Sequence, residues 1–194
     1  MPVIRMPHLD LDRLAAPLLE VPNGSVPRRA RDLTVDRCDI RHARVLIARW
    51  HSRLPETQAG PWMAAYRAAF DGITYAVALW NSPSARTLTG SCIELRRMAV
   101  SPDAPHCTAS RFLNEMLKRI RVEFPDYQKA ISYQDTAVHT GTIYRAAGWN
   151  AAYESKPRER NRDGHRAGTR RMYRWNINGV APDAAAKIRW EAEL

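Results

Sequence analysis

The order of hydrophobic patterns along the 194 residues predicts a mixed α/β fold, a sheet with helices on its faces. Three observations carry this. Helical spacing of apolar residues appears at 39–51 and again at 112–120. Apolar runs of strand length stand at 73–80, 93–100 and 130–134. Turn residues separate these runs, as in Asp71-Gly72, Asn81-Ser82-Pro83-Ser84 and Ser101-Pro102-Asp103. The length suits one domain plus an arm, and 45% hydrophobic with 26% charged residues are ordinary globular values.

Residues 1–35 read as an N-terminal arm, because Pro2, Pro7, Pro17, Pro22 and Pro27 interrupt any regular element. One short helix fits between Asp10 and Glu20, with Leu11, Leu14, Leu18 and Leu19 on one side. The domain is expected over 36–178, with a basic loop at 155–171 and a C-terminal tail at 179–194. Ile40, Ala43, Leu46, Ile47 and Trp50 give an amphipathic helix, closed before Pro55 because the residue ahead of a proline avoids the α region. Residues 62–70 are expected as a second short helix. Strands follow at 73–80 and 93–100. Phe112, Leu113, Met116, Leu117 and Ile120 then share one face of the longest helix. A strand at 130–134 and a short helix at 140–147 come next, the latter stopped by Gly148. Segments 149–154 and 170–177 are expected to pair as the last strands.

Composition excludes several classes. No apolar run approaches the ~20 residues of a membrane helix. The opening MPVIRMPHLDLD has acids where a signal peptide has an apolar stretch, so a cytoplasmic location is expected. Cys38, Cys92 and Cys107 form no CxxC and suggest neither a disulfide framework nor a zinc knuckle. The net charge is +10, and only four of the thirty basic residues are lysines (Lys118, Lys129, Lys156, Lys187). A GC-rich genome alone explains an arginine excess. Polyanion binding explains it equally, since arginine grips phosphate bidentately.

The segment from Glu94 to Trp149 carries the chemistry: ELRRMAV, a proline-containing loop, the long helix, a strand, then SYQDTAVHTGTIYRAAGW. It resembles the GNAT acyltransferase fold, which implies a mostly antiparallel sheet flanked by helices. That fold also implies a helix N-terminus that receives the pyrophosphate of an acyl-CoA, because free amides and the helix dipole favour an anion. The matching cradle is Thr108, Ala109, Ser110 and Arg111, preceded by His106 and Cys107. Here it lacks the two closely spaced glycines of the GNAT pattern.

WHSRLP at 50–55, ELRRMAV, ASRFL and the run ending in Trp149 resemble, more closely, the phage Mom family. Those GNAT-like proteins modify adenine in bacteriophage DNA and shield it from restriction. The resemblance spans roughly residues 48–150 and implies acetamide-type (carbamoylmethyl) transfer to adenine N6 in double-stranded DNA. It points to His51, Asp135 and Tyr144 as catalytic residues and to Ser110 in the cofactor pocket. His51 matches either the family's histidine, across a one-residue deletion, or the neighbouring tyrosine. An acetyl-CoA or related acyl donor is implied, and an iron ion with His51 and Asp135 among its ligands.

Each residue also has a plainer explanation. His51 ends a helix, where an imidazolium is favourable by itself. Asp135 suits an Asx turn. Ser110 or Thr108 suits an N-cap, and Tyr144 suits a core aromatic with its hydroxyl satisfied. His139 lies four residues after Asp135 on a loop, where spacing fixes no geometry. Strand alternation puts Glu94, Arg96 and Met98 on one side and Leu95 and Arg97 on the other, so one face is expected to line a polar cleft. There Glu94 serves as a general base or holds an arginine in place.

Residues 155–175 hold eight Lys/Arg and two acids. Lys156, Arg158, Arg160, Arg162, Arg166, Arg170 and Arg171 are therefore candidate DNA contacts, as a solvated hairpin or a duplex-binding loop. Trp62, Tyr173 or Trp175 would support an unstacked base. Two other functions stay open: a conventional GNAT N-acetyltransferase acting on a small amine or peptide, and a nucleic-acid-binding protein on the same scaffold.

Overall fold

The computed structural model describes residues 26–51, 60–83, 85–88, 90–156 and 186–194. Its strands are β1 (Thr34–Arg37), β2 (Ala64–Phe70), β3 (Ile73–Asn81), β4 (Cys92–Val100), β5 (Lys129–Asp135), β6 (Asn150–Ser155) and β7 (Lys187–Glu193). Its α-helices are α1 (Ile40–Trp50), α2 (Thr108–Glu123) and α3 (Thr142–Ala146). The seven strands form one sheet in the order β1-β2-β3-β4-β5-β7-β6. Neighbours are antiparallel except β4 and β5, which run parallel on either side of the α2 crossover.

The main helices sit where periodicity puts them. Asp39 caps α1, its carboxylate accepting from the amides of Arg41 and His42. Ala43, Leu46 and Ile47 bury against Ala65, Val77, Leu79 and Ala99 on one face of the sheet. On the other face, Phe112, Leu113, Met116, Leu117 and Ile120 of α2 pack into the larger core with Tyr66, Trp80, Ile93 and Leu95. Fully burying such side chains contributes roughly 1.5–3 kcal/mol each.

Three expectations are corrected, and the turn expected at Asp71-Gly72 is found. Residues 64–70 are strand, not helix: both faces of AAYRAAF are nearly all buried, a fate that alternation cannot signal. Asp71 (φ 47) and Gly72 (φ 81) both take left-handed conformations, which is the two-residue turn that joins twisted antiparallel strands. The arm ends sooner than Val35, because Ala30 and Leu33 are already buried and β1 pairs with β2. The expected C-terminal tail supplies an inner strand: β7 lies between β5 and β6 and pairs with both. It takes the place expected for 170–177, a segment outside the described residues together with the short helix expected between Asp10 and Glu20. No helix among the described residues is long and apolar enough to cross a membrane.

His42 of α1 ties the helix to the sheet, its Nε2 lying 3.1 Å from Thr74 Oγ1. Burial, helped by the Arg67 guanidinium, lowers its pKa below the ordinary 6.5. The folded chain thus keeps this ring neutral after the unfolded chain has protonated. Stability therefore falls as pH drops below the unfolded value towards the folded one. Thermal melts at about pH 7 and about pH 5 should show this loss shrinking in His42→Gln; an unchanged acid sensitivity would remove His42 as its source.

Candidate active site

The centre of the sheet is a fork. β4 and β5 pair from Cys92↔Lys129 to Leu95↔Ser132, and no further pairing joins them. The cause lies on the other edge of β4. Trp80 opposes Leu95 and Leu79 opposes Arg97, so Arg96 is an extra residue, a bulge. A bulge bends its strand and re-aims side chains. It also resets the alternation: Leu95 and Met98, three residues apart, both pack on the α2 side, while Ala99 packs on the α1 side. The simple face assignment for Glu94, Arg96 and Met98 is therefore corrected. Glu94 is only 5% exposed, and Arg96 Nη1 lies 3.2 Å from its Oε1.

Tyr144 reaches the fork from α3. Its hydroxyl is 2.9 Å from Ser132 Oγ, and Ser132 donates to Leu95 O at 3.3 Å, so the hydroxyl sits where the two strands part. The Tyr144 ring stacks on Trp190 (centroids 5.3 Å apart) and meets the edge of Trp149. Burial lifts the phenol above its ordinary 10, the Ser132 hydrogen bond pulling the other way, so it stays protonated. Trp190 Nε1 donates to Gln134 Oε1 at 2.8 Å, and Gln134 Nε2 donates to His139 O. Gly141 packs tightly under this group: a Cβ there would lie 2.6 Å from both Gln134 Oε1 and Trp190 Cζ2.

The α2 N-terminus opens beside the fork. Cys107 takes the N-cap with φ 66, a left-handed conformation that glycine adopts freely, and it makes no side-chain cap bond. The missing glycine of this loop is thus met by strain at Cys107, of order 1–3 kcal/mol. Thr108 is buried, and both its amide and its hydroxyl donate to Pro105 O. It closes the loop and leaves the open end to the amides of Ala109 and Ser110, since Arg111 N donates to Cys107 O. Ser110 Oγ donates to Cys107 O. A groove of about 720 Å3 continues along α2, lined by Ser110, Arg111, Asn114, Lys118 and Arg121, with Glu115 between Arg111 and Lys118 at 3.5 and 2.9 Å, and, opposite, by Gly148 and Asn150.

Asp135 ends β5 on the face opposite Tyr144, since Ser132 and Gln134 point to the Tyr144 side. Its Oδ1 accepts from Ala137 N at 3.0 Å, an Asx turn, and its Oδ2 lies 3.5 Å from Lys187 Nζ. His51 is the C-cap of α1, its amide donating to Ile47 O.

The Mom protein family matches residues 32–189. The chain belongs to the Mom protein family. No curated protein sequence matches it. Among solved structures, a Bacillus subtilis acetyltransferase in complex with CoA superposes with a TM-score of 0.57 at 10% identity, over 84% of this chain and 99% of the other. A GNAT acetyltransferase from Elizabethkingia anophelis with acetyl-CoA bound gives 0.52 at 13% identity, over 84% and 99%. The ribosomal-protein-S18-alanine N-acetyltransferase from Escherichia coli gives 0.52 at 12%, over 83% and 93%. The Mom chain therefore has the GNAT acyltransferase fold.

The described residues of this Mom protein do not fit an iron site. Among the described residues no three His, Cys, Asp or Glu side chains form a group able to hold a metal, and Asp135 already faces an amide and an ammonium. Of the candidate DNA contacts, Lys156 is exposed just after β6. Arg158, Arg160, Arg162, Arg166, Arg170 and Arg171, with Tyr173 and Trp175, lie outside the described residues. Trp62 is half-buried against the α1 core. Sequence reasoning missed Ser132, Gln134, Gly141 and Trp190, which hold Tyr144 in place. The alternation in KIRWEAE was the available signal for β7.

Proposed function

We propose that this Mom family member is a transferase that modifies adenine N6 in double-stranded DNA with an acetamide-type group. The family match over 32–189 carries the reading. The fork supports it, with a phenol on one face and a carboxylate on the other.

The α2 end and its groove suit an acyl-CoA. The amides of Ala109 and Ser110 and the Arg111 guanidinium would hold its diphosphate, with Lys118 and Arg121 further along the groove. A thioester activates its carbonyl carbon and would leave an acyl group on N6, whereas an acetamide-type group needs a bond from N6 to a methylene carbon and so a donor whose leaving group is carried on that carbon. Tyr144 holds a proton at its hydroxyl, beside Ser132, available to the departing group of the donor. Asp135, positioned by the Ala137 amide and Lys187, accepts the proton that the adenine amine gives up. His51 ends α1, its amide closing the last turn on Ile47 O, and carries its imidazole to the acceptor side. Lys156 and the arginines at 158–171 meet the phosphates, and the target base leaves the stack before reacting.

Genomic DNA from bacteria expressing the chain should resist restriction enzymes whose sites contain adenine. Cleavage as complete as in control DNA, with the chain present and folded, contradicts the reading. The acetyltransferase names of the structural neighbours favour a second reading, acetyl transfer to a small amine or peptide. Cleavable DNA with acetylated free amine would select it.

A further inference from the structure

We infer that a row of three side chains across β5, β7 and β6 is a stacking platform for bases freed where the duplex opens around the target adenine; this rests on the DNA reading above. Tyr133 opposes Arg189, and Arg189 opposes Tyr153. The three therefore stand side by side on one face of the sheet, about 5 Å apart from strand to strand. Tyr133 is 41% and Tyr153 58% exposed, whereas most large apolar side chains of the sheet are buried. The Arg189 guanidinium lies 5.7 Å from the Tyr153 ring centroid and its Nε 2.9 Å from Glu191.

The face is the acceptor side of the fork. Asp135 is two residues beyond Tyr133 on the same strand, hence on the same face. Tyr144 and the α2 groove lie on the opposite face. α1 covers β2, β3 and β4 on the acceptor side, and the row lies beyond it in the sheet order.

Charge selects the occupant. Each carboxylate on this face already has a cation beside it: Glu94 has Arg96, Asp135 has Lys187, Glu191 has Arg189, and Glu191 and Glu193 share Lys129. Lys156 adds a further positive charge at the end of β6. A strand that brings flat π faces and its own phosphates complements such a surface. Bases stack on aromatics displayed on adjacent strands of an open sheet face without regard to sequence. The platform thus holds a strand near Asp135, and recognition of the reacting adenine is left to the fork.

The test is binding to fluorescent single strands of about ten nucleotides, one of deoxyadenosine and one of abasic sugar-phosphate with the same charge. Wild type should bind the base-bearing strand about tenfold more tightly. Tyr133→Ala with Tyr153→Ala should abolish that preference while leaving abasic binding unchanged, and Tyr133→Trp with Tyr153→Trp should keep it. Equal binding of both strands by wild type, or a preference that survives the alanine pair, overturns the platform and leaves the DNA reading standing. Failure of wild type to bind either strand or duplex at low salt overturns both.

Discussion

Tyr144→Phe is expected to lower the rate of transfer by roughly 10²–10⁴-fold, the usual contribution of a positioned proton donor. The variant should remain folded. The ring keeps its stack on Trp190 and its edge contact with Trp149. Ser132 keeps its bond to Leu95 O, so no buried hydroxyl is left without an acceptor. The stability cost is then about 1 kcal/mol, that of one hydrogen bond. The phenol's pKa is raised by burial, so an alkaline loss of activity near neutrality would have to come from another group. Activity of Tyr144→Phe within a few-fold of wild type would make Tyr144 a packing residue only.

Gly141→Ala is expected to cost about 2–4 kcal/mol of stability. Gly141 has φ +76, where an L side chain is strained by about 1 kcal/mol. Overpacking adds roughly 1–3 kcal/mol, because the new methyl would meet Gln134 Oε1 and Trp190 Cζ2 at 2.6 Å. Neither neighbour yields easily: Gln134 is bound at both ends of its amide, and Trp190 is buried beneath Tyr144. At about 2–4 °C per kcal/mol the melting temperature should fall by about 5–15 °C. Gly148→Ala is the control. Its φ is +73 but nothing lies within 4 Å of the added Cβ, so it should lose only about 1 kcal/mol. Equal losses in the two variants would contradict the packing drawn for Tyr144.

Much of the fold was legible because its helices are amphipathic. The face of α2 reads directly from Phe112 to Ile120, since those residues and few others on the helix are apolar. β2 was not legible: buried on both faces and rich in alanine, it has neither period to offer. β7 carries a readable alternation in KIRWEAE, but a long basic stretch precedes it and its place between β5 and β6 is fixed only by pairing across the sheet. The candidate site divides the same way. Asp135, Tyr144 and Ser110 stand in local motifs that a single sequence displays. Ser132 and Trp190 matter only through contacts made across the sheet, with Tyr144 at 12 and 46 residues' distance along the chain. The Arg96 bulge is a disagreement of register between β3 and β4, which no one-strand pattern contains.

The central measurement is mass spectrometry of nucleosides from DNA of bacteria making either wild type or Asp135→Asn. Asparagine preserves the size of Asp135 and can still accept from the Ala137 amide, but it cannot take up a proton from the amine. A deoxyadenosine heavier by an acetamide-type substituent in wild type, and absent in Asp135→Asn at equal protein level, is the predicted result. Unmodified deoxyadenosine in wild type, or the same adduct at full yield in Asp135→Asn, would contradict it.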